Sequence, residues 1–120
     1  MRVIEWVGSS RKDLMGLPDE VRREFGHALW LVQGGVTPRS AKALSGYGGA
    51  QVMEIVEDER GDTYRAIYTI CYAHAVYVLH VFQKKSRSGI ATPKHELDVV
   101  RARLKAAHLH HQRHYGGDRP

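Results

Sequence analysis

Thr63–Ser86 reads TYRAIYTICYAHAVYVLHVFQKKS. Two runs rich in Tyr, Ile, Val and Thr flank a short polar break at Ala73-His74, the pattern of two antiparallel strands. A two-residue turn at that break places Tyr72 opposite Ala75, Ile67 opposite His80, Arg65 opposite Phe82 and Thr63 opposite Lys84. Side chains alternate across a sheet, so this register predicts two faces. One carries Ala66, Tyr68, Ile70, Tyr77, Leu79 and Val81, an apolar surface that needs helices over it. The other carries Arg65, Ile67, Thr69, Cys71, Val76, Val78, His80, Phe82 and Lys84. Arg65 then lies diagonal to His80 and Lys84, roughly 7–8 Å away between backbones. Such a cluster is either a functional site or a set of strand-end charges that guard an edge and snorkel to water. Ala-His lacks the Asn-Gly or Gly-Xaa chemistry that fixes a two-residue turn. A slip of one residue would carry Arg65 to the other face.

The chain of 120 residues is 42% hydrophobic, enough for one domain and too little for two. We expect that domain over residues 1–115 and a flexible tail over 116–120. Lys and Arg outnumber Asp and Glu by 18 to 13, a net charge of +5 that favours an anionic partner. The single cysteine, Cys71, lies inside an expected strand, where it reads as a small buried apolar residue. With no intrachain disulfide available, a reducing cytoplasm fits best. No apolar run has signal-peptide or membrane-spanning length, so no membrane partner is expected.

Before the hairpin, Val3–Val7 reads as a strand ended by Gly8-Ser9-Ser10. Ser9 or Ser10 caps a short helix over Arg11–Met15. Pro18, Asp19 and Glu20 open a second helix that Gly34-Gly35 stops. In it Val21, Phe25, Ala28, Leu29 and Val32 form an apolar stripe, widened by Trp30 and Leu31. Val36–Gly49 reads as a loop and Val52–Glu57 as a strand, with Asp58–Asp62 turning into the hairpin. Thr92 and Pro93 open a last helix with a buried stripe of Leu97, Val100, Leu104 and Ala107. His110 and His114 are four apart, a metal-chelating spacing, but no Cys or carboxylate completes a site. An exposed, partly frayed end with no metal is expected there. The fold class is α+β, a small antiparallel meander with the N-terminal helices on one face and a C-terminal helix.

The segments Ala41-Lys42-Ala43-Leu44-Ser45-Gly46, Met53-Glu54-Ile55, Thr63-Tyr64-Arg65-Ala66-Ile67-Tyr68 and Val78–Ser86 occur in an order that resembles the RelE/ParE superfamily. More closely, the chain resembles the phage-related, HigB-like toxins of type II toxin–antitoxin modules. The resemblance implies a RelE-like fold and a cytoplasmic toxin that needs no cofactor. It implies a cognate helix-turn-helix, HigA-like antitoxin as partner and leaves room for a hetero-oligomer of the two. Many relatives cut mRNA on the ribosome without a metal, whereas ParE-like relatives poison DNA gyrase without nuclease chemistry. In one departure, Val56 stands where many relatives carry an arginine.

Cleavage through the 2′-hydroxyl needs a base, a cation for the phosphorane charge and an acid for the leaving oxygen. By resemblance Arg65 matches the strand arginine and suits transition-state stabilisation. Lys84 and Lys85 match the Lys-Lys-Ser/Thr strand ending. Lys84 suits proton transfer beside a second cation, and Lys85 phosphate contact. His80 is the imidazole that the register places beside Arg65 and suits acid or base work. The alternative for His80 is a satisfied core histidine. Lys42, Arg39 and Arg87 read as RNA-contacting loop residues or as solvated charge. The leading expectation is an mRNA endonuclease that inhibits translation, with a non-catalytic inhibitor of DNA gyrase as the alternative. A basic nucleic-acid-binding regulator lacks a helix-turn-helix pattern.

Overall fold

The computed structural model describes residues 1–47, 51–84 and 92–116. The elements in chain order are β1 (Val3–Trp6), α1 (Ser10–Met15), α2 (Asp19–Gln33), β2 (Ala41–Ala43), β3 (Val52–Glu59), β4 (Asp62–Thr69), β5 (Ala75–Lys84) and α3 (Lys94–Tyr115). The expected basic loop after Lys84, with Lys85 and Arg87, lies outside the described residues, as does the expected tail beyond Gly116.

The strands form one five-stranded sheet in the order β1-β5-β4-β3-β2. β2 to β5 are antiparallel neighbours, the expected meander. β1 adds a parallel edge to the first half of β5, pairing Val3 with Ala75 and Trp6 with Val78. The sheet is therefore mixed. β3 and β4 are joined by Arg60-Gly61, both at positive φ (51° and 86°), the sign pattern of a type I′ hairpin turn. β2 falls inside the segment expected as a loop. Its three residues, Ala-Lys-Ala, are too few for alternation to be a signal and are strand by virtue of pairing Lys42 with Glu54 of β3.

The central hairpin keeps the outer half of the expected register: Thr63 pairs with Lys84, Arg65 with Phe82 and Ile67 with His80. Its inner half differs. Residues 70–74 join the strands as a longer connection instead of a two-residue turn, and a register shift between Ile67 and Tyr68 brings Tyr68 opposite Val78. Leu79 is thus an inserted residue, a β-bulge. The bulge exchanges the faces expected for residues 76–79. Val76 and Val78 pack with Ala66, Tyr68 and Val81 against α1 and α2, while Tyr77 and Leu79 pack with Ile67 and Phe82 against α3. Tyr72, expected within the strand, sits in the connection and stacks on His111 of α3 at 3.9 Å between ring centroids.

The helices lie on opposite faces of the sheet. The stripe of α2 is buried as expected: Val21, Phe25, Ala28, Leu29 and Val32 are all in the core. Trp30 does not widen that stripe. It is 55% exposed and stacks on His27 instead. On the other face Val100, Leu104 and Ala107 of α3 are buried as expected. No described helix is long and apolar enough to cross a membrane.

The end of α3 is packed. His111 is 2% exposed, between Tyr72 and Tyr115. The Tyr77 hydroxyl meets His110 Nδ1 at 2.7 Å, Tyr72 bonds His108, and the Tyr115 hydroxyl donates to Glu5 Oε2 at 2.5 Å. The frayed end expected from the histidine content is corrected by these contacts. An imidazole is flat and amphipathic, so it can cover a tyrosine face as well as meet water. Hydrogen bonding to the Glu5 carboxylate pushes the Tyr115 hydroxyl up to about 12. Burial, and then the neighbouring His111, hold the His108 imidazole below its ordinary value.

A histidine whose folded value is lowered stabilises the fold fully above its unfolded value of about 6.5 and loses that contribution as pH falls through the folded value. Melting temperature is therefore expected to fall as pH drops from 7.5 toward 5, and less steeply in His108→Gln. Thermal melts across that range measure both slopes.

Candidate active site

The face of the hairpin under α3 gathers the charged residues. Arg65, Phe82 and Lys84 share it by their pairing, and His80 joins them because the bulge is completed one residue before it. His80 stacks on Phe82 with ring centroids 4.7 Å apart. All three polar residues are buried, with exposures of 4% for Arg65, 7% for His80 and 9% for Lys84. A guanidinium at that depth requires a counter-charge and hydrogen bonds.

Glu54 of β3 supplies the counter-charge. Its Oε2 accepts from Arg65 Nη1 at 2.8 Å, and its Oε1 lies 3.6 Å from Lys42 Nζ of β2. The register explains the convergence: Lys42 is opposite Glu54, Glu54 opposite Ile67, and Ile67 opposite His80, one row running across four strands. Thr92, ahead of α3, accepts a second contact from Arg65 Nη1 at 3.4 Å. Arg65 is thus bracketed by the sheet and by the start of α3.

His80 is held equally closely. Its Nε2 lies 2.9 Å from Glu96 Oε1 in the first turn of α3, and its Nδ1 lies 3.3 Å from Arg103 Nη1. Arg103 also donates to the Leu79 carbonyl at 3.0 Å and to Ser9 Oγ at 3.1 Å. Both carbonyls at the bulge therefore have side-chain donors, the Val78 carbonyl accepting from Ser10 Oγ at 3.0 Å in addition to the Val7 N–H at 3.0 Å. Gly8 makes room for the arginine. A Cβ there would lie 2.8 Å from Arg103 Nε, and the residue has φ +57°. Beyond the end of β1, a cleft of about 520 Å3 reaches His80 and Phe82 past Lys12, Leu17 and Gln83.

Of the residues expected from sequence, Arg65, Lys84 and His80 share the α3 face, and Lys42 reaches it through Glu54. Arg39 does not. It borders a separate cavity of about 390 Å3 with Glu24, His27 and Glu57 against α2. Lys85 and Arg87 lie outside the described residues. Sequence reasoning missed Glu54, Glu96 and Arg103 as members of the cluster. Two signals pointed to them. Glu54 is a lone carboxylate in the apolar alternation of Val52–Val56, and Glu96 and Arg103 are seven apart, two helical turns, beside the buried Val100. The rings of His110 and His114 stack at 4.0 Å, with His114 Nδ1 against the His110 carbonyl. Among the described residues no three His, Cys, Asp or Glu side chains form a group that could hold a metal ion.

A mixed five-stranded sheet between helical layers, with a cluster of paired charges buried against one of them, defines a small α+β fold. The family model for Phage derived protein Gp49-like (DUF891) matches residues 12–105. The chain belongs to this Gp49-like family, which lies within the RelE/ParE-like toxin superfamily and points to a phage-derived toxin of a toxin–antitoxin pair. None of the curated proteins matches the chain.

Breaking a buried pair costs far more than breaking an exposed one. Glu54→Ala is expected to destabilise the fold by about 3–5 kcal/mol, because it removes the carboxylate that pairs with the buried Arg65 guanidinium. Lys42→Ala, with a 58% exposed side chain, is expected to cost less than about 1 kcal/mol. Urea unfolding midpoints of the two variants test the contrast.

Proposed function

We propose that this protein is the HigB-like toxin of a type II toxin–antitoxin module and an mRNA endonuclease that acts on the ribosome and halts translation. Residues 1–115 act as one toxin domain in the cytoplasm, and a helix-turn-helix antitoxin neutralises it. The observation that carries this reading is the convergence of Arg65, Lys84, His80 and Glu96 on one face of the sheet. A 2′-hydroxyl can attack the adjacent phosphate when a base takes its proton and cations hold the developing negative charge. Arg65 holds the phosphorane charge, with its planar fork already oriented by Glu54 and Thr92. Lys84, two residues beyond Phe82 on the same face, supplies a second cation toward the leaving oxygen. The His80–Glu96 pair handles the proton of the nucleophile. Lys42 has the exposure to meet an RNA phosphate from outside. Arg39 contacts RNA only if the substrate also wraps toward α2. Lys85 and Arg87 enter the reading by family resemblance alone.

One observation favours the gyrase-inhibitor reading: Arg65 already has a carboxylate partner and is 5% exposed at its side chain. A phosphate must compete with Glu54 for it.

The test uses one defined mRNA, free and loaded on ribosomes stalled at a known codon, with new 5′ ends mapped by primer extension. Cuts confined to the ribosome-loaded codon are expected from the wild type. Arg65→Lys keeps the charge opposite Glu54 and loses the fork, so its rate is expected to fall by about 100-fold while the melting temperature stays close to that of the wild type. No cuts from a wild-type protein that still stops growth would overturn the nuclease reading.

A further inference from the structure

We propose that Glu96, and not His80, accepts the proton of the attacking 2′-hydroxyl, with His80 and Arg103 acting as positioning residues for its carboxylate. The proposal rests on the nuclease reading above and assigns its base.

The tautomer of His80 decides the matter. A guanidinium has five N–H donors and no acceptor, so the Arg103 contact at 3.3 Å requires a lone pair on His80 Nδ1. The ring proton of the neutral imidazole is then on Nε2, where it donates to Glu96 Oε1 at 2.9 Å. Both nitrogens are occupied in this arrangement, and no lone pair is left for a substrate proton. Glu54 is no better placed, because its oxygens face Arg65 and Lys42 and its side chain is 3% exposed. Glu96 has one oxygen tied to His80, a second oxygen beyond it, and a side chain 15% exposed. It is the most open of these groups.

Its position is also fixed by several elements. Glu96 lies in the first turn of α3, where the helix dipole favours a carboxylate. Thr92, four residues earlier, touches Arg65, so the carboxylate and the phosphate-holding guanidinium flank the same helix start. Among the described residues the titratable groups facing Glu96 are His80 from β5 and His95 on its own helix, with His95 Nε2 at 3.7 Å. Arg103 stands behind His80 and is anchored to Ser9 and the Leu79 carbonyl. A carboxylate, an imidazole and a guanidinium thus form a chain in which the outermost member meets the substrate.

In the step itself the 2′-hydroxyl proton passes to the Glu96 carboxylate and the 2′ oxygen forms a bond to phosphorus. The bond from phosphorus to the 5′ oxygen breaks, its electron pair leaves on that oxygen, and water protonates it. The products are a 2′,3′-cyclic phosphate and a 5′-hydroxyl end, and Glu96 returns its proton to solvent.

The ribosome-loaded mRNA assay tests this with four proteins. Glu96→Gln keeps the shape and the hydrogen bond but cannot accept a proton, and is expected to cut at least about 100-fold more slowly with ribosome binding unchanged. Glu96→Ala is expected to regain cleavage when acetate is added, a rescue that a purely structural role would not show. His80→Gln retains an N–H aimed at Glu96 and is expected to slow by less than about tenfold. Wild-type rates in Glu96→Gln, or an inactive His80→Gln beside an acetate-insensitive Glu96→Ala, would overturn the assignment. An inactive wild type would instead remove the nuclease reading on which the assignment depends.

Discussion

The register shift between β4 and β5 is the constraint on which the rest of the structure depends. By inserting Leu79, the chain presents Val76 and Val78 to α2 and Tyr77 and Leu79 to α3, yet keeps His80, Phe82 and Lys84 on the face of Arg65. Without the insertion the strand would pack one half correctly and the other half inside out. At the bulge the Leu79 carbonyl accepts from Arg103, and the Val78 carbonyl accepts from Ser10 as well as from the Val7 N–H. One inserted residue therefore couples the start of α1, the middle of β5 and the centre of α3. It also aims the imidazole at the carboxylate of Glu96.

Charge burial sets the second constraint. Arg65, Glu54, His80 and Lys84 are all buried at the interface between sheet and α3, where desolvation favours apolar side chains over ionic ones. Such an arrangement contributes little to stability compared with a well-packed apolar core of the same volume. In the mechanism we propose, these fixed charges meet a charge that develops during reaction, where prearranged dipoles and ions need not reorganise. The apolar packing elsewhere offsets the cost of burying them. Phe25, Ile55 and Val76 are fully buried on the α2 face, and Val100 and Ala107 on the α3 face.

Much of this was legible in the sequence. Helical spacing alone located the buried stripe of α2 from Val21 to Val32, and the register drawn from a two-residue turn placed Arg65 opposite Phe82, although the turn itself is a longer connection with a compensating bulge. What escaped had physical causes. The bulge leaves no residue signature, because Leu79 is as apolar as its neighbours and only the tertiary demand of two helical layers selects it. β2 is too short to show alternation. Trp30 flanks the stripe by spacing, but its bulk lies against His27 at the surface. The histidines of α3 read as polar in composition and pack as aromatic surfaces against Tyr72, Tyr77 and Tyr115. Glu96 and Arg103 became visible as partners once β5 stood between them and the turn at Ser9.

Membership of the Gp49-like family points to a toxin of a toxin–antitoxin pair, and RNA on the ribosome is the target we propose for it. The same fold in a gyrase poison would leave transcripts whole and break DNA instead. The most direct measurement is transcriptome-wide mapping of 5′ ends within minutes of inducing the wild-type protein in a bacterial host, with DNA-damage signalling followed in the same culture. The account predicts new 5′-hydroxyl ends inside translated reading frames, in phase with codons, before any damage response. Intact transcripts together with persistent damage signalling would contradict it.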